Sequence, residues 1–358
     1  MRRNECFSQR LFRLNLPMER FKIYLEKKKI FTIIFIPLLA GSFLFATQGV
    51  TQKRVTLAYY YLWYQTQYPN WENLVKTTPL LGYYSSTDDN IIKQHIQWAK
   101  EAGIDGFIIS DWGRTNLQSS TYPYTIEVLE KNKFYYCLLI EAGSPDFNMK
   151  DKVLAEVRYI RDSFSQNPYY LKADRKPVLM IFDYTQKWRG IGLPTIAFWG
   201  DIKNNFPEFS YWFCTGEADI KNVDDLSTVF DLVDCYVPLL FRLPSQYFSS
   251  GGLVAEGNLQ TGAYISQRQE WDKLTKYSST TIMFQFDKSK WDKQHGFSQS
   301  IIIPYYANTI SQFNNGLQKN YLLITSWNEF IENTNIEPTI QHGSKFLDLI
   351  KNWLTPTL

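Results

Sequence analysis

The sequence has little histidine and little cysteine, and neither residue is arranged for metal or redox chemistry. Three histidines occur, His95, His295 and His342. None stands at a metal-binding spacing and HExxH is absent, so the motif-bearing zinc hydrolases are excluded. His95 falls inside a helical pattern and reads as a surface or internally satisfied residue. The four cysteines, Cys6, Cys137, Cys214 and Cys235, form no CxxC pair, so a zinc-ribbon or thioredoxin-like motif is ruled out. Cys137 sits in an apolar run as a small core residue. Cys214 and Cys235 are read as buried thiols, with a disulfide as the alternative in an oxidising compartment. No GxSxG elbow, P-loop or glycine fingerprint for a dinucleotide occurs, so serine-hydrolase, nucleotide and nicotinamide chemistry have no anchor here. No metal and no cofactor are expected.

The folded part also lacks an excess of positive charge. Residues 1–29 hold nine Lys/Arg and three Asp/Glu, residues 30–52 hold no charge, and the whole chain sums to +3. The basic balance therefore belongs to the N-terminal arm and leaves the remainder at −3. A nucleic-acid-binding domain would carry its positive charge on the fold, so none is expected.

Long apolar runs are missing except at one place. Lys27-Lys28-Lys29 precedes the apolar stretch 30–46, and the uncharged segment 30–52 would reach about 34 Å as a helix, enough for a bilayer core. Pro37 is tolerable in a membrane helix. The triple-lysine flank argues against a buried core helix and keeps residues 1–29, a basic arm, in the cytoplasm. A retained signal anchor over 30–50 and a signal peptide cleaved after Ala46 both stay open. The anchor is the expectation, because an arm of 29 residues is long for a cleaved signal. Either way residues 52–358 are exported: membrane-anchored outside the cytoplasm, or secreted. The sequence sets no oligomeric state.

What is abundant is aromatic side chain. Trp, Tyr and Phe make up 17% of the chain, with 11 Trp and 24 Tyr. They can fill a core, or they can line a carbohydrate cleft, where rings pack on sugar C–H faces and polar tips meet hydroxyls.

From residue 52 onward short apolar runs alternate with amphipathic stretches. Eight strand candidates result: Val55–Tyr61, Gly106–Ser110, Phe134–Ile140, Val178–Phe182, Phe209–Cys214, Val233–Leu239, Thr280–Phe286 and Tyr321–Thr325. Each is apolar on both faces, as a parallel strand covered by helices must be. Helices are predicted over Asp88–Ala102, capped by Thr87 and ended by Gly103, over Lys150–Phe164 and Tyr305–Phe313, and over Lys345–Trp353, capped by Ser344. Residues 241–262 show no clear pattern. Eight βα units in about 300 residues favour a single-domain (β/α)8 TIM barrel over a doubly wound sheet.

In such a barrel the active site gathers where strands end. Trp63 and Trp71 follow the first strand, Asp111 and Trp112 the second, Glu141 the third, and Asp183 and Tyr184 the fourth. Glu217, Arg242 and Asp287 follow the next three. Helix capping explains about half of these acids. It does not explain the last loop, where Glu329, Glu332 and Glu337 crowd into nine residues after Trp327 and Asn328 with no Lys or Arg among them. Like charges held close raise the pKa of at least one carboxyl, so that an acid and a base coexist at neutral pH. Glycoside cleavage needs such a pair. Glu329 and Glu332 are the candidate catalytic residues. Tyr59, Tyr61, Trp63, Asp111, Trp112, Glu141, Asp183, Tyr184, Asp287, Trp327 and Asn328 are the candidate substrate contacts.

The passage Leu322–Pro338, with Thr325-Ser326-Trp327-Asn328-Glu329-Phe330-Ile331-Glu332 and Ile336-Glu337-Pro338 in it, resembles the signature of glycoside hydrolase family 99, the endo-α-mannosidase and endo-α-mannanase group. Ala58–Tyr64, Gly82–Ser86, Ala102–Phe107 with Asp111-Trp112-Gly113, and Lys176–Leu179 resemble that family's upstream segments in the same order. The resemblance implies a retaining (β/α)8 glycosidase acting on a mannose-containing glycan or related polysaccharide. It implies Glu329 as the base for the sugar 2-hydroxyl, Glu332 as the acid/base, and a 1,2-anhydro intermediate. A glycosyl-transferring barrel and an inactive sugar-binding barrel are the alternatives. Three positions depart from the pattern: Phe330 where Trp is common, Ile331 where endomannosidases tend to have His, and Asn333 in place of Gly. Asn tolerates the left-handed backbone a Gly would supply. Loss of a polar contact at Ile331 bears on substrate choice.

Overall fold

The computed structural model describes residues 54–182 except 66, 118 and 148, and residues 195–216, 234–240, 253–254, 275–296, 301–303 and 319–355. The expected membrane segment 30–50 lies outside the described residues, as do Asp183, Tyr184, Glu217, Arg242 and the helix expected at Tyr305–Phe313. Among the described residues no helix is long and apolar enough to cross a membrane.

Among the described residues the sheet has nine strands, eight of them parallel: β1 (Val55–Tyr60), β2 (Gly106–Asp111), β3 (Tyr135–Glu141), β4 (Lys176–Phe182), β5 (Ser210–Gly216), β6 (Cys235–Leu240), β7 (Ser279–Met283) and β8 (Tyr321–Thr325); the ninth, Lys172–Ala173, pairs antiparallel with the start of β4. They lie in the order β6-β5-β4-β3-β2-β1-β8-β7. The edges β6 and β7 meet through a parallel bridge between Cys235 and Tyr277, where Tyr277 N–H donates to Asp234 O at 2.9 Å. The sheet is thus curled and barrel-like, and every expected strand is present. The seventh stops at Met283, and Phe286–Asp287 instead pairs antiparallel with Ile301–Ile303, which pairs in parallel with Leu253–Val254. The last of these lies in the stretch 241–262 that has no sequence pattern.

Helices α1 (Asp89–Glu101), α2 (Tyr122–Lys131), α3 (Lys150–Ser163) and α4 (Thr195–Asn205) join successive strands from β1 to β5, and α5 (Lys345–Leu354) follows β8. The caps differ from expectation. Asp88, not Thr87, caps α1 by accepting from Asn90 N–H at 2.8 Å, the stronger arrangement because a carboxylate also complements the helix dipole. Ser344 does not cap α5 through its backbone amides; its hydroxyl goes to Asp348 Oδ2 at 2.6 Å. Gly103 ends α1 at φ +81°, as expected of a left-handed stop.

Strand register decides which side chains enter the barrel. Tyr59 pairs with Ile108, Ile108 with Cys137, and Ser110 with Leu139. Side chains alternate along a strand, so Tyr59, Tyr61, Ser110, Cys137, Glu141, Thr325 and Cys214 point inward, and Tyr60 and Asp111 point out to the helices. Leu57, Ile108, Leu139, Met180, Trp212 and Leu323 fill the interior, and all are at most 1% exposed. Burying each such side chain contributes about 1.5–3 kcal/mol. Gly106 opens β2 because a Cβ there would stand 2.6 Å from Tyr135 O on β3. Cys214 and Cys235 stand as buried thiols, not as a disulfide. Tyr59, Tyr60, Tyr64, Tyr122, Tyr136, Tyr170 and Tyr211 are all fully buried, so these tyrosines serve the core.

Candidate active site

The loop after β8 is closed by its own hydrogen bonds. Ser326 N–H donates to Thr334 O at 3.0 Å, Thr334 N–H to Glu329 O at 3.1 Å, and Glu329 N–H to Ser326 Oγ at 2.7 Å. Ser326 Oγ lies 2.9 Å from Thr334 Oγ1. The peptide bond between Thr325 and Ser326 is cis. Asn333 adopts φ +54°, the left-handed turn expected where the family has Gly. Trp327 N–H donates to Tyr59 O at 2.8 Å, which fixes the loop on β1.

Glu329 sits inside this turn, 4% exposed. Its Oε1 accepts from Ile331 N–H at 2.9 Å and from Glu332 N–H at 3.3 Å. The backbone of one candidate acid thus holds the carboxylate of the other. Burial, then the neighbouring Glu332 charge, pushes the Glu329 carboxyl well above the usual range; the two backbone donors and Lys288 oppose that rise. Glu332 is half-buried. Its carboxyl is also raised, first by burial and then by Asp292, against the pull of Lys288. Both carboxyls thus hold a proton more readily than a free glutamate does, and the two donors to Oε1 temper that rise at Glu329.

Tyr61 lies in front of this pair, stacked on Trp63 at 4.6 Å and 25°. Its hydroxyl is raised well above normal by burial, and then by Glu141, Glu329 and Glu332 in turn. Three carboxylates therefore converge on one phenol. Glu141 is oriented by Ser110, whose hydroxyl donates to Oε1 at 2.7 Å, while Trp112 Nε1 donates to Ser110 Oγ at 2.9 Å. Half-buried Tyr68, Trp112 and Trp291 pack with Trp63, Trp71, Phe330 and Ile331 around the mouth. Asp287 stands at the rim bonded to Lys76, and its N–H donates to Glu332 O at 2.7 Å.

Four expected sugar contacts fall behind the site. Tyr59 is one layer down inside the barrel, fully buried, its hydroxyl 3.8 Å from Cys214 Sγ. Asp111 is on the other face of β2, fully buried, and its Oδ1 accepts from Gly113 N–H at 2.8 Å. Its electrostatic neighbour is Glu156 of α3, which Tyr122 and Arg114 bind. Trp327 is buried between Phe107 and His95 at ring distances of 5.2 and 5.5 Å. Asn328 accepts from Tyr61 N–H at 2.8 Å and donates to Tyr61 O at 2.9 Å, so both ends of its amide are spent on backbone. Ser110, Tyr68 and Lys288 belong to the site and were not singled out from sequence. Strand alternation alone would have exchanged Asp111 for Ser110. Nothing in the sequence marks Lys288.

A depression of about 760 Å³ lined by Arg54, Lys100, Asp105, Lys133 and Lys351 opens at the opposite, N-terminal end of the strands. It touches none of the carboxylates above and lies on the face that serves stability in barrels of this kind. Among the described residues no three His, Cys, Asp or Glu side chains are grouped as a metal site requires.

Residues 65–191 match the model of glycosyl hydrolase family 99. Over that segment the chain is similar to glycosyl hydrolase family 99. The match ends before the Trp327–Glu332 loop. The fold agrees with it. A family 99 endo-α-mannosidase from Bacteroides thetaiotaomicron, in complex with bis-tris-propane, superposes with a TM-score of 0.64 at 19% identity, over 84% of this chain and 96% of that one. A second structure of the endo-α-mannosidase from that organism gives 0.61 at 18% identity, over the same shares. A glycoside hydrolase-like protein gives 0.59 at 14% identity, over 86% and 96%. At these identities the likeness concerns the fold. A comparison with curated proteins found no match.

Proposed function

We propose that this family 99-like glycosidase cleaves a mannose-containing glycan or related polysaccharide at internal linkages with retention of configuration. The observation that carries the reading is the Glu329 carboxylate held by the amides of Ile331 and Glu332 at the mouth of β8. Glu329 takes the proton of the sugar 2-hydroxyl. That oxygen attacks the anomeric carbon, the bond to the leaving oxygen breaks, and Glu332 protonates the leaving oxygen. Glu332, now a carboxylate, takes a proton from water. The water oxygen opens the 1,2-anhydro ring at the anomeric carbon, and the 2-oxygen recovers its proton from Glu329. Two inversions give net retention, and acid and base both return to their starting states. Tyr61, Trp63, Trp112 and Glu141 form the surface that receives the sugar. Ile331 is 8% exposed within the aromatic cluster, so it offers an apolar contact where endomannosidases tend to place His.

On the same reading the eight strands belong to a full (β/α)8 barrel, and residues 30–50 anchor or export it. The test is proton NMR of α-mannan incubated with the full-length protein. The reading expects oligosaccharides whose first-formed reducing end is the α-anomer. A first-formed β-anomer, or monosaccharide alone, would contradict it.

A further inference from the structure

Behind the loop that carries Glu329 lies a polar cluster with no part in the steps above. His95, on the inner face of α1, is fully buried. Its Nδ1 is 2.9 Å from the Tyr60 hydroxyl. Its Nε2 is 3.2 Å from Glu337 Oε1, with both side chains at 0% exposure; neither atom makes a hydrogen bond, so the contact is one of proximity. The other Glu337 oxygen, Oε2, accepts from the Tyr84 hydroxyl at 2.6 Å. Asn328 Nδ2 in turn reaches Tyr84 Oη at 3.5 Å while holding Tyr61 O at 2.9 Å.

A buried carboxyl is costly to retain unless its partners are fixed in place. Here the partners lead in one direction. From α1 the contacts run through Glu337 and Tyr84 to Asn328, which stands next to Glu329 in the chain and clamps the backbone of Tyr61. Tyr64 adds a second pin: its hydroxyl donates to Asn328 O and accepts from Phe330 N–H at 3.0 Å. Glu337 N–H donates to Trp327 O at 2.9 Å, so the loop returns on itself at this carboxylate. The rings of Tyr84, Trp98 and Trp327 close around His95 at 5.2, 6.4 and 5.5 Å and keep the cluster dry.

We infer that His95, Glu337 and Tyr84 are positioning residues: together they set Asn328, and through it hold Glu329 and Tyr61 in register across the cleft. The inference rests on the reading of Glu329 as a reacting group. Its structural part, the local pinning of the loop, stands apart from that reading. Tyr84→Phe removes only the hydroxyl that joins Glu337 to Asn328 and keeps the ring. Glu337→Gln keeps an acceptor for Tyr84 but removes the carboxyl that faces His95.

Hydrogen–deuterium exchange on the full-length protein tests the pinning. In Tyr84→Phe the amides of residues 328–332 are expected to exchange about ten-fold faster, with β1, β2 and β3 unchanged. No acceleration in 328–332, or the same acceleration throughout the chain, would overturn the inference. Should Tyr84→Phe not fold, Glu337→Gln carries the same test, with a smaller local rise expected. Turnover of α-mannan gives a second readout. A positioning role lowers kcat about ten-fold or more in Tyr84→Phe and leaves KM within about two-fold; a rise in KM at unchanged kcat would count against it. If the wild-type protein does not turn over α-mannan but the exchange pattern holds, the substrate reading fails and the positioning role of the cluster stands.

Discussion

Glu329 and Glu332 are three residues apart in sequence and share one turn, and the amide of one binds the carboxylate of the other. This arrangement fixes their separation by backbone rather than by two flexible side chains, which limits the conformational entropy lost when both engage a sugar. Both carboxyls are raised above their usual value of 4.5. The base must be ionised, so activity climbs as pH rises through the lower of the pair's two titrations. The acid must be protonated, so activity falls as pH rises through the higher. The expected kcat/KM profile is a bell whose acid limb lies above 4.5, measured on α-mannan by reducing-end release. An acid limb at or below that value would mean that the pair is solvated in solution. The pair itself was legible in the sequence, because three acids without a cation in nine residues have no capping explanation. Lys288 was not legible, since a lysine beside an aspartate has no distinctive pattern; only folding brings it to the carboxylates.

Elements decide which of two neighbouring residues faces the cleft. All eight strands are legible as apolar runs, but a run that is apolar on both faces does not say which face turns inward. Tyr59 and Tyr61 both point inward, but two residues along a strand is about 6.6 Å of depth, enough to put Tyr59 in the core and Tyr61 at the mouth. Asp111 is one residue beyond Ser110 and therefore faces α2 and α3. Burial, and then Glu156, pushes the Asp111 carboxyl well above its usual range. A carboxyl raised in the folded state stabilises the fold at low pH, and that contribution is lost as pH rises through the folded value. Asp111→Asn keeps the acceptor for Gly113 and removes the titration. It is expected to melt higher than wild type at about pH 8, with the gap narrowing toward about pH 5, and to leave the KM for α-mannan unchanged. A raised KM would return Asp111 to the sugar cleft. The cap of α1 shows a similar one-residue ambiguity: Thr87 and Asp88 are both good caps by type, and only the backbone angles select Asp88.

For the whole molecule, the match to family 99 covers residues 65–191, and the likeness of fold to the family 99 endo-α-mannosidase structure covers 84% of the chain. The long segment without sequence pattern, 241–262, was unreadable because its one described element, Leu253–Val254, is two residues long and gains its pairing from Ile301–Ile303, far along the chain. The network from His95 to Asn328 was equally hidden, since its members come from α1, the loop after β1 and the loop after β8. The proposed anchor at residues 30–50 also belongs to this scale. Sequencing the N-terminus of the mature protein is expected to find residues 1–29 still attached; a mature start between 46 and 52 would replace the anchor by a cleaved signal.

The central claim is that Glu329 and Glu332 are the reacting acids. It is tested most directly by the rate of α-mannan hydrolysis by full-length Glu329→Gln and Glu332→Gln beside the wild type, each variant first shown to be folded. Removing a general acid or base is expected to lower kcat by about 10²–10⁴-fold in each single variant. Full wild-type activity in both would contradict the account.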